Sequence, residues 1–183
     1  MKRALIIIDV QEAFNSPKWG VRNNLQAEEN IRILLSLWRK TKQEVIYIQH
    51  TSKNPDSLFH PQNPGFKIKD MVRPLDGEKV ITKEVNSAFI ETNLEDYLLS
   101  KGITELVITG LTTAHCVSTS TRMSGNLGYT TFLLSDATAT FGLYDHHNHY
   151  IEAETIHHVS LATIHKEFAT VLTTESYIKE FLT

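Results

Sequence analysis

The chain has 183 residues, with 18 Lys and Arg against 21 Asp and Glu and a formal net charge of −3. That balance gives no reason to expect a nucleic acid or an anionic membrane as partner, and the length suits one domain that buries about 70% of its unfolded surface. The single cysteine excludes an internal disulfide and is compatible with a reducing cytoplasm.

The aliphatic run from Arg3 to Ile8 predicts a central parallel strand. It is too short for a signal h-region or a membrane span. Asp9 falls at its carboxyl end, where open α/β sheets bind ligands. An amphipathic helix is expected from about Asn24 to Lys40, with Ile31, Leu34, Leu35 and Trp38 on one face. A second strand spans Glu44 to Gln49. The stretch from Asn54 to Gly65 is rich in Pro, Gly and Asn and reads as a loop within one domain. A short strand from Lys79 to Thr82 delivers Lys83 to its end. A helix from Asn93 to Ser100 stops at Gly102. The β-branched run Glu105 to Thr109 is a fourth strand, ended by Gly110, and a helix carrying Cys116 runs on to about Asn126. A fifth strand (Thr130 to Leu134), a long helix (His146 to Ile164), a sixth strand (Ala169 to Thr173) and a short helix complete the chain. There is no internal repeat, targeting segment or composition shift, so residues 1–183 read as a single domain. The alternation of strand and helix implies a parallel six-stranded sheet with helices on both faces, a three-layer α/β fold.

Cys116 sits near the first turn of a helix that follows a strand and a glycine. There the partial positive charge of the helix end favours thiolate over thiol. Taken singly, the candidates are weak. A free cysteine is often only a small buried hydrophobe, an aspartate after a strand is often a helix cap, and a lysine is usually a surface charge.

Together the segments are more specific. The chain resembles the isochorismatase-like cysteine hydrolases, which include nicotinamidases, N-carbamoylsarcosine amidohydrolase and streptothricin hydrolase. The matching pieces are Asp9-Val10-Gln11 with Phe14, Lys83 with Ser87-Ala88-Phe89, and Gly110-Leu111-Thr112-Thr113-Ala114-His115-Cys116-Val117. Gly128-Tyr129 and Ser135-Asp136-Ala137-Thr138-Ala139 follow in the same order. The resemblance implies a Rossmann-like strand order 3-2-1-4-5-6, with Asp9 and Cys116 on adjacent strands at the topological switch point. It further implies a catalytic triad of Asp9, Lys83 and Cys116. An oxyanion hole would be formed by the backbone N–H groups of Thr112 and Cys116, with a cis peptide at Leu111–Thr112. The expected chemistry is cleavage of an amide-type C–N bond in a small molecule through a thioester. Family members are often dimers or tetramers, so a homo-oligomer is expected.

Departures from the family patterns narrow this reading. Nicotinamidases carry an Asp-x-His and a further His as metal ligands after strand two. Here that region reads Gln49-His50-Thr51-Ser52-Lys53-Asn54, and Asp56 and His60 have the wrong spacing. No metal or other cofactor is therefore expected. Isochorismatases proper cleave a vinyl ether and commonly lack the cysteine, which this chain has. Six of the nine histidines crowd between His146 and His165. No closed ligand set stands out, and a solvated or oligomer-facing helix is the expected reading. Gln11, Phe14 and Thr113 are the candidate substrate contacts, with a structural hydrogen bond as the alternative for Gln11. Trp19, Phe59, Phe66, Phe141 and Tyr144 lie in loops at the carboxyl side and are further candidates for a pocket wall. Two rivals stay open: an ether hydrolase in which Cys116 is dispensable, and a ligand-binding or thiol-sensing protein that performs no hydrolysis.

Overall fold

The aliphatic N-terminal run forms the central strand, β1 (Arg3–Ile8), in a computed structural model that describes residues 2–182. Beside it lie β2 (Glu44–His50) and β3 (Lys79–Lys83) on one side. On the other are β4 (Glu105–Leu111), β5 (Thr130–Ala139) and β8 (Thr170–Leu172). All pairs are parallel, and the order is β3-β2-β1-β4-β5-β8. The expected sheet is present, and its sixth strand is the eighth in the chain. The two extra strands, β6 (Leu143–Tyr144) and β7 (Tyr150–Ile151), form an antiparallel hairpin apart from the sheet.

The period of two along the strands divides the core into two layers. Ile6, Ile8, Ile46, Ile48 and Ile108 face α2 (Leu94–Lys101), α3 (Ser118–Asn126) and α4 (Ala153–Ala162), packing with Leu94, Leu98, Val117 and Leu161. Leu5, Ile7, Val45, Tyr47 and Val107 face α1 (Ala27–Lys40) and α5 (Thr174–Phe181). The predicted stripe of α1 is the buried one: Ile31, Leu34, Leu35 and Trp38 are each at most 1% exposed. Truncating Trp38 to Ala would cost about 3–5 kcal/mol by the usual behaviour of buried aromatics. Among the described residues no helix is long and apolar enough to cross a membrane.

Three local departures from the sequence reading have physical causes. First, β5 runs five residues past Leu134, because a register shift absorbs the polar Ser135-Asp136 pair instead of ending the strand. The Asp136 carboxylate there accepts from the Thr174 N–H and hydroxyl, each at 2.7 Å, and so ties β5 to the start of α5. Second, the long helix from His146 is absent. Asp145 accepts from the N–H groups of His147 (2.8 Å) and His149 (2.9 Å), and Asn148 takes φ of +63°. These bonds make a turn, so His146, His147 and His149 form the tip of the β6–β7 hairpin, and α4 starts only at Ala153. Third, His157 on α4 is not solvated. It is 3% exposed, with Nδ1 2.9 Å from the Thr113 hydroxyl.

Two further features hold the carboxyl edge of the sheet. Gly110 in β4 has φ of +117°, and a Cβ there would lie 2.0 Å from the Ile8 carbonyl oxygen. Only glycine allows β4 and β1 to approach this closely. Glu28, in the first turn of α1, accepts from Lys69 Nζ at 2.7 Å and from both terminal nitrogens of Arg22. Burial opposes its ionisation, but the hydrogen bonds and charges of Arg22 and Lys69 prevail and hold its carboxyl at about 2.

Candidate active site

The floor of the site is built from strand ends. β1 stops at Ile8, and Asp9 turns the chain with φ of +51°, a left-handed conformation that aspartate tolerates better than most residues. β2 ends at His50 and β3 at Lys83, which are paired directly in the ladder. β4 leads through a cis Leu111–Thr112 peptide into a single π-turn, Thr113–Val117, that carries Cys116. The Thr112 carbonyl accepts from the N–H groups of both His115 and Val117, which curls the backbone around the cysteine.

These ends bring Asp9, Lys83 and Cys116 together. The Lys83 ammonium donates to Asp9 Oδ2 at 2.8 Å and to Cys116 Sγ at 3.3 Å. Both charged side chains are almost wholly out of solvent, at 0% and 1% exposure. Lys83 also donates to His50 Nδ1 at 3.1 Å, so each of its three N–H bonds has an acceptor. The other Asp9 oxygen, Oδ1, is buried with no hydrogen-bond partner among the described residues.

The helix end and Lys83, which the sequence reading named as favouring the thiolate, are opposed in the folded site. Burial pushes the Cys116 thiol up to about 12, the Asp9 carboxylate adds to this, and the Lys83 ammonium only partly offsets it. The resting cysteine is thus a thiol, and its Sγ lies 3.6 Å from Asn86 Oδ1. His50 is held below its ordinary value by burial and by the Lys83 charge, against the pull of Asp9, so its imidazole is neutral.

Above this floor opens a cavity of about 680 Å³. Four rings form its walls. Phe14 lies 5.3 Å from Trp19, 5.3 Å from Phe59 and 6.0 Å from Phe141, measured between ring centroids. Tyr144 and Tyr150 of the hairpin and Lys18 add to the lining, and the Lys18 ammonium sits 4.8 Å over the Trp19 ring. Asp9, His50, Asn86, Thr112, His115 and Cys116 supply the polar floor. Apart from the Asp9–Lys83 pair, the lining carries no carboxylate. The lining is mainly aromatic, with Lys18 as its one ammonium.

Of the sequence-stated candidates, Phe14, Thr112 and Cys116 line the cavity with Asp9, and Lys83 lies directly beneath it. Gln11 and Thr113 do not reach it, which corrects their reading as substrate contacts. Gln11 is 0% exposed; its amide donates to the carbonyls of His50 (3.0 Å) and Phe66 (2.9 Å) and accepts from the His50 N–H (2.8 Å). Thr113 is also 0% exposed, with its hydroxyl against His157. Both side chains are closed to the cavity and bonded within the protein. Trp19, Phe59, Phe141 and Tyr144 are wall residues, and Phe66 is not. The sequence reading missed His50, Asn86 and Tyr150. His50 was accessible by the same rule that found Asp9 and Lys83, since it too ends a strand of the parallel sheet.

Asp9, His50 and Cys116 also present three potential metal ligand atoms within 4.8 Å of one another. The same three side chains are the acceptors of the Lys83 ammonium, so that cation already occupies the place where they converge.

Comparison with known proteins agrees with this architecture. A family model described as the isochorismatase domain matches residues 3–176. An uncharacterized isochorismatase family protein of Bacillus subtilis, YrdC, is 62% identical over 99% of this chain and 97% of its own length. A crystal structure of an isochorismatase-family protein from Chromobacterium violaceum superposes with a TM-score of 0.95 at 39% identity, covering 97% of this chain and 92% of that one. N-carbamoylsarcosine amidase of an Arthrobacter species is 44% identical over 66 residues, which is 36% of this chain and 25% of that protein.

Proposed function

The chain belongs to the isochorismatase family of hydrolases, and from that premise we propose that it is a cysteine amidohydrolase that cleaves a C–N bond in a small neutral amide. The observation that carries the reading is the fully buried Lys83 ammonium bridging Asp9 and the Cys116 sulfur. The amidase named among its relatives supports the same bond class.

The geometry suits a proton transfer that creates no net charge in a dry site. At rest the cavity floor holds one ion pair, Asp9 carboxylate with Lys83 ammonium. When the thiol proton passes to Asp9, the carboxylate becomes neutral and Lys83 is left paired with the thiolate. One buried ion pair replaces another, so the step avoids the large desolvation cost of isolated charges. Asp9 Oδ1, buried and without a hydrogen-bond partner among the described residues, has its acceptor capacity free for that proton. The thiolate then attacks the amide carbonyl. The developing oxyanion is met by the backbone N–H groups of Thr112 and Cys116, a type of contact worth about 3–4 kcal/mol per donor. Asp9 returns its proton to the leaving nitrogen, as general acids do for a factor of about 10²–10⁴. Asp9 next draws a proton from water as the oxygen attacks the thioester carbonyl, the Cys116 thiolate leaves as the acid forms, and Asp9 returns the proton to sulfur, restoring the thiol.

The test is ammonia or amine release from a panel of small amides, ureas and lactams, with Cys116→Ala beside wild type. Release that depends on Cys116 is the expected result. Equal release by both proteins would remove the cysteine from the mechanism and leave the ether-hydrolase reading or a contaminating amidase. The thiol-sensing alternative predicts reversible oxidation of Cys116 with no hydrolysis of any amide.

A further inference from the structure

The Lys83 ammonium has three acceptors, and the amide chemistry above gives roles to only two of them. The third is His50 Nδ1, at 3.1 Å. An ammonium can only donate, so Nδ1 must carry the lone pair and Nε2 the proton. The imidazole is held from several sides. Its backbone N–H and carbonyl are both tied to the Gln11 amide, at 2.8 Å and 3.0 Å. Its ring packs edge-on against Phe59 at 5.0 Å. Its strand neighbour in the ladder is Lys83 itself. A fixed relay therefore runs from Gln11 through His50 to the ammonium that faces the sulfur.

We propose that His50 is a positioning residue for Lys83, a fourth member of the site that holds the ammonium on the Cys116 sulfur through the cysteine chemistry. The inference rests on the amidohydrolase reading for its purpose but not for its test. The physical need is plain. Once the proton has moved to Asp9, the thiolate has Lys83 as its single countercharge. An ammonium with only Asp9 and sulfur as acceptors is free to swing about its stem and lose the sulfur. A neutral third acceptor, opposed to the other two, fixes the threefold orientation without adding a competing charge. A carboxylate in place of His50 would draw the ammonium away, and a purely apolar side chain would leave one buried N–H with no acceptor.

The test compares His50→Phe, which keeps a ring and removes the acceptor, with His50→Asn, which restores an acceptor near the Nδ1 position. Two quantities are read: the rate of Cys116 alkylation by iodoacetamide at pH 9, and kcat and KM on an amide that wild type turns over. His50→Phe is expected to slow alkylation at least ~3-fold and to lower kcat at least ~10-fold with KM within ~3-fold, as loss of an interaction made in the transition state requires. His50→Asn is expected to stay within ~3-fold of wild type in both. If the Phe variant does not fold, His50→Leu takes its place. The proposal is overturned if the acceptor-free variant matches wild type in alkylation. It is equally overturned if the folded Asn variant is as slow as the Phe variant. Alkylation needs no substrate, so failure to find any hydrolysed amide would count against the amidohydrolase reading and leave this outcome readable.

Discussion

The protonated state of Cys116 makes a quantitative prediction about its reactivity. An ordinary thiol titrates near 9.0, and this one is pushed up to about 12 by burial and Asp9, with Lys83 opposing. Three pKa units correspond to about 4 kcal/mol against the thiolate and reduce its population about 10³-fold at pH 8. The rarer thiolate is more nucleophilic, and a Brønsted slope of about 0.45 returns roughly 20-fold. The free enzyme should therefore react with iodoacetamide about 50-fold more slowly than an unperturbed thiol, with a rate that still rises at pH 9 to 10. The charges can then be separated by sign. Asp9→Asn removes a group that holds the thiol up and should speed alkylation by about 3-fold for each pKa unit released. Lys83→Met, of similar length, removes the opposing charge and should slow it further. The assay is the second-order rate constant against pH, read by mass spectrometry of the labelled Cys116 peptide with a chelator present. A wild-type rate that levels off below pH 8, or an Asp9→Asn variant slower than wild type, would refute the reasoning.

Three further outcomes follow from particular contacts. Gly110→Ala places a Cβ 2.0 Å from the Ile8 carbonyl oxygen at a φ of +117°; it should cost more than about 4 kcal/mol, measured by chemical denaturation, and a loss under 2 kcal/mol would show that the β1–β4 contact can yield. Glu28 has a folded pKa of about 2 against 4.5 in its ordinary state, which is worth about 3 kcal/mol. Because the folded value is depressed, that stability is complete above pH 4.5 and is lost as pH falls towards 2; wild type and Glu28→Gln should differ at pH 6 and converge near pH 2, and a gap independent of pH would contradict the linkage. Lys83→Ala empties the point on which Asp9, His50 and Cys116 converge; the variant should bind Cd²⁺ with thiolate-to-metal ultraviolet absorbance while wild type does not, and absence of that signal in the variant would show that the three ligands cannot close on an ion.

The sequence was most legible where one rule governed many residues at once. Continuous aliphatic runs bounded by Gly110 and Gly102 located the strands and helices of the parallel sheet, because burial on both faces leaves no polar alternation to confuse the period. The same rule placed Asp9 at a strand end, whereas Lys83 ends β3, a short edge strand whose buried and exposed residues alternate. The rule failed where a few hydrogen bonds outweigh periodicity. Asp145 and Asn148 turn what looks like a histidine-rich helix into a hairpin tip, and the Asp136 carboxylate makes a polar pair part of β5. The sign of the thiol shift was illegible for another reason. The helix-end and lysine terms could be read from residue order, but desolvation and the approach of Asp9 arise only once the chain has folded. Thr113 looked functional because it neighbours the cysteine, until its bond to His157 was known, and for Gln11 the structural hydrogen bond offered as its alternative is the one present.

The β6–β7 hairpin supplies Tyr144 and Tyr150 to the cavity and adds no strand to the six-stranded sheet. Asp9, Lys83 and Cys116, by contrast, stand just past β1, at the end of β3 and in the turn after β4, whose placement is fixed by the central core. Chemistry and selectivity are thus carried by parts of the chain with different mutational tolerance. Changes in the hairpin would redraw what the cavity admits while the strand ends beneath it keep their geometry.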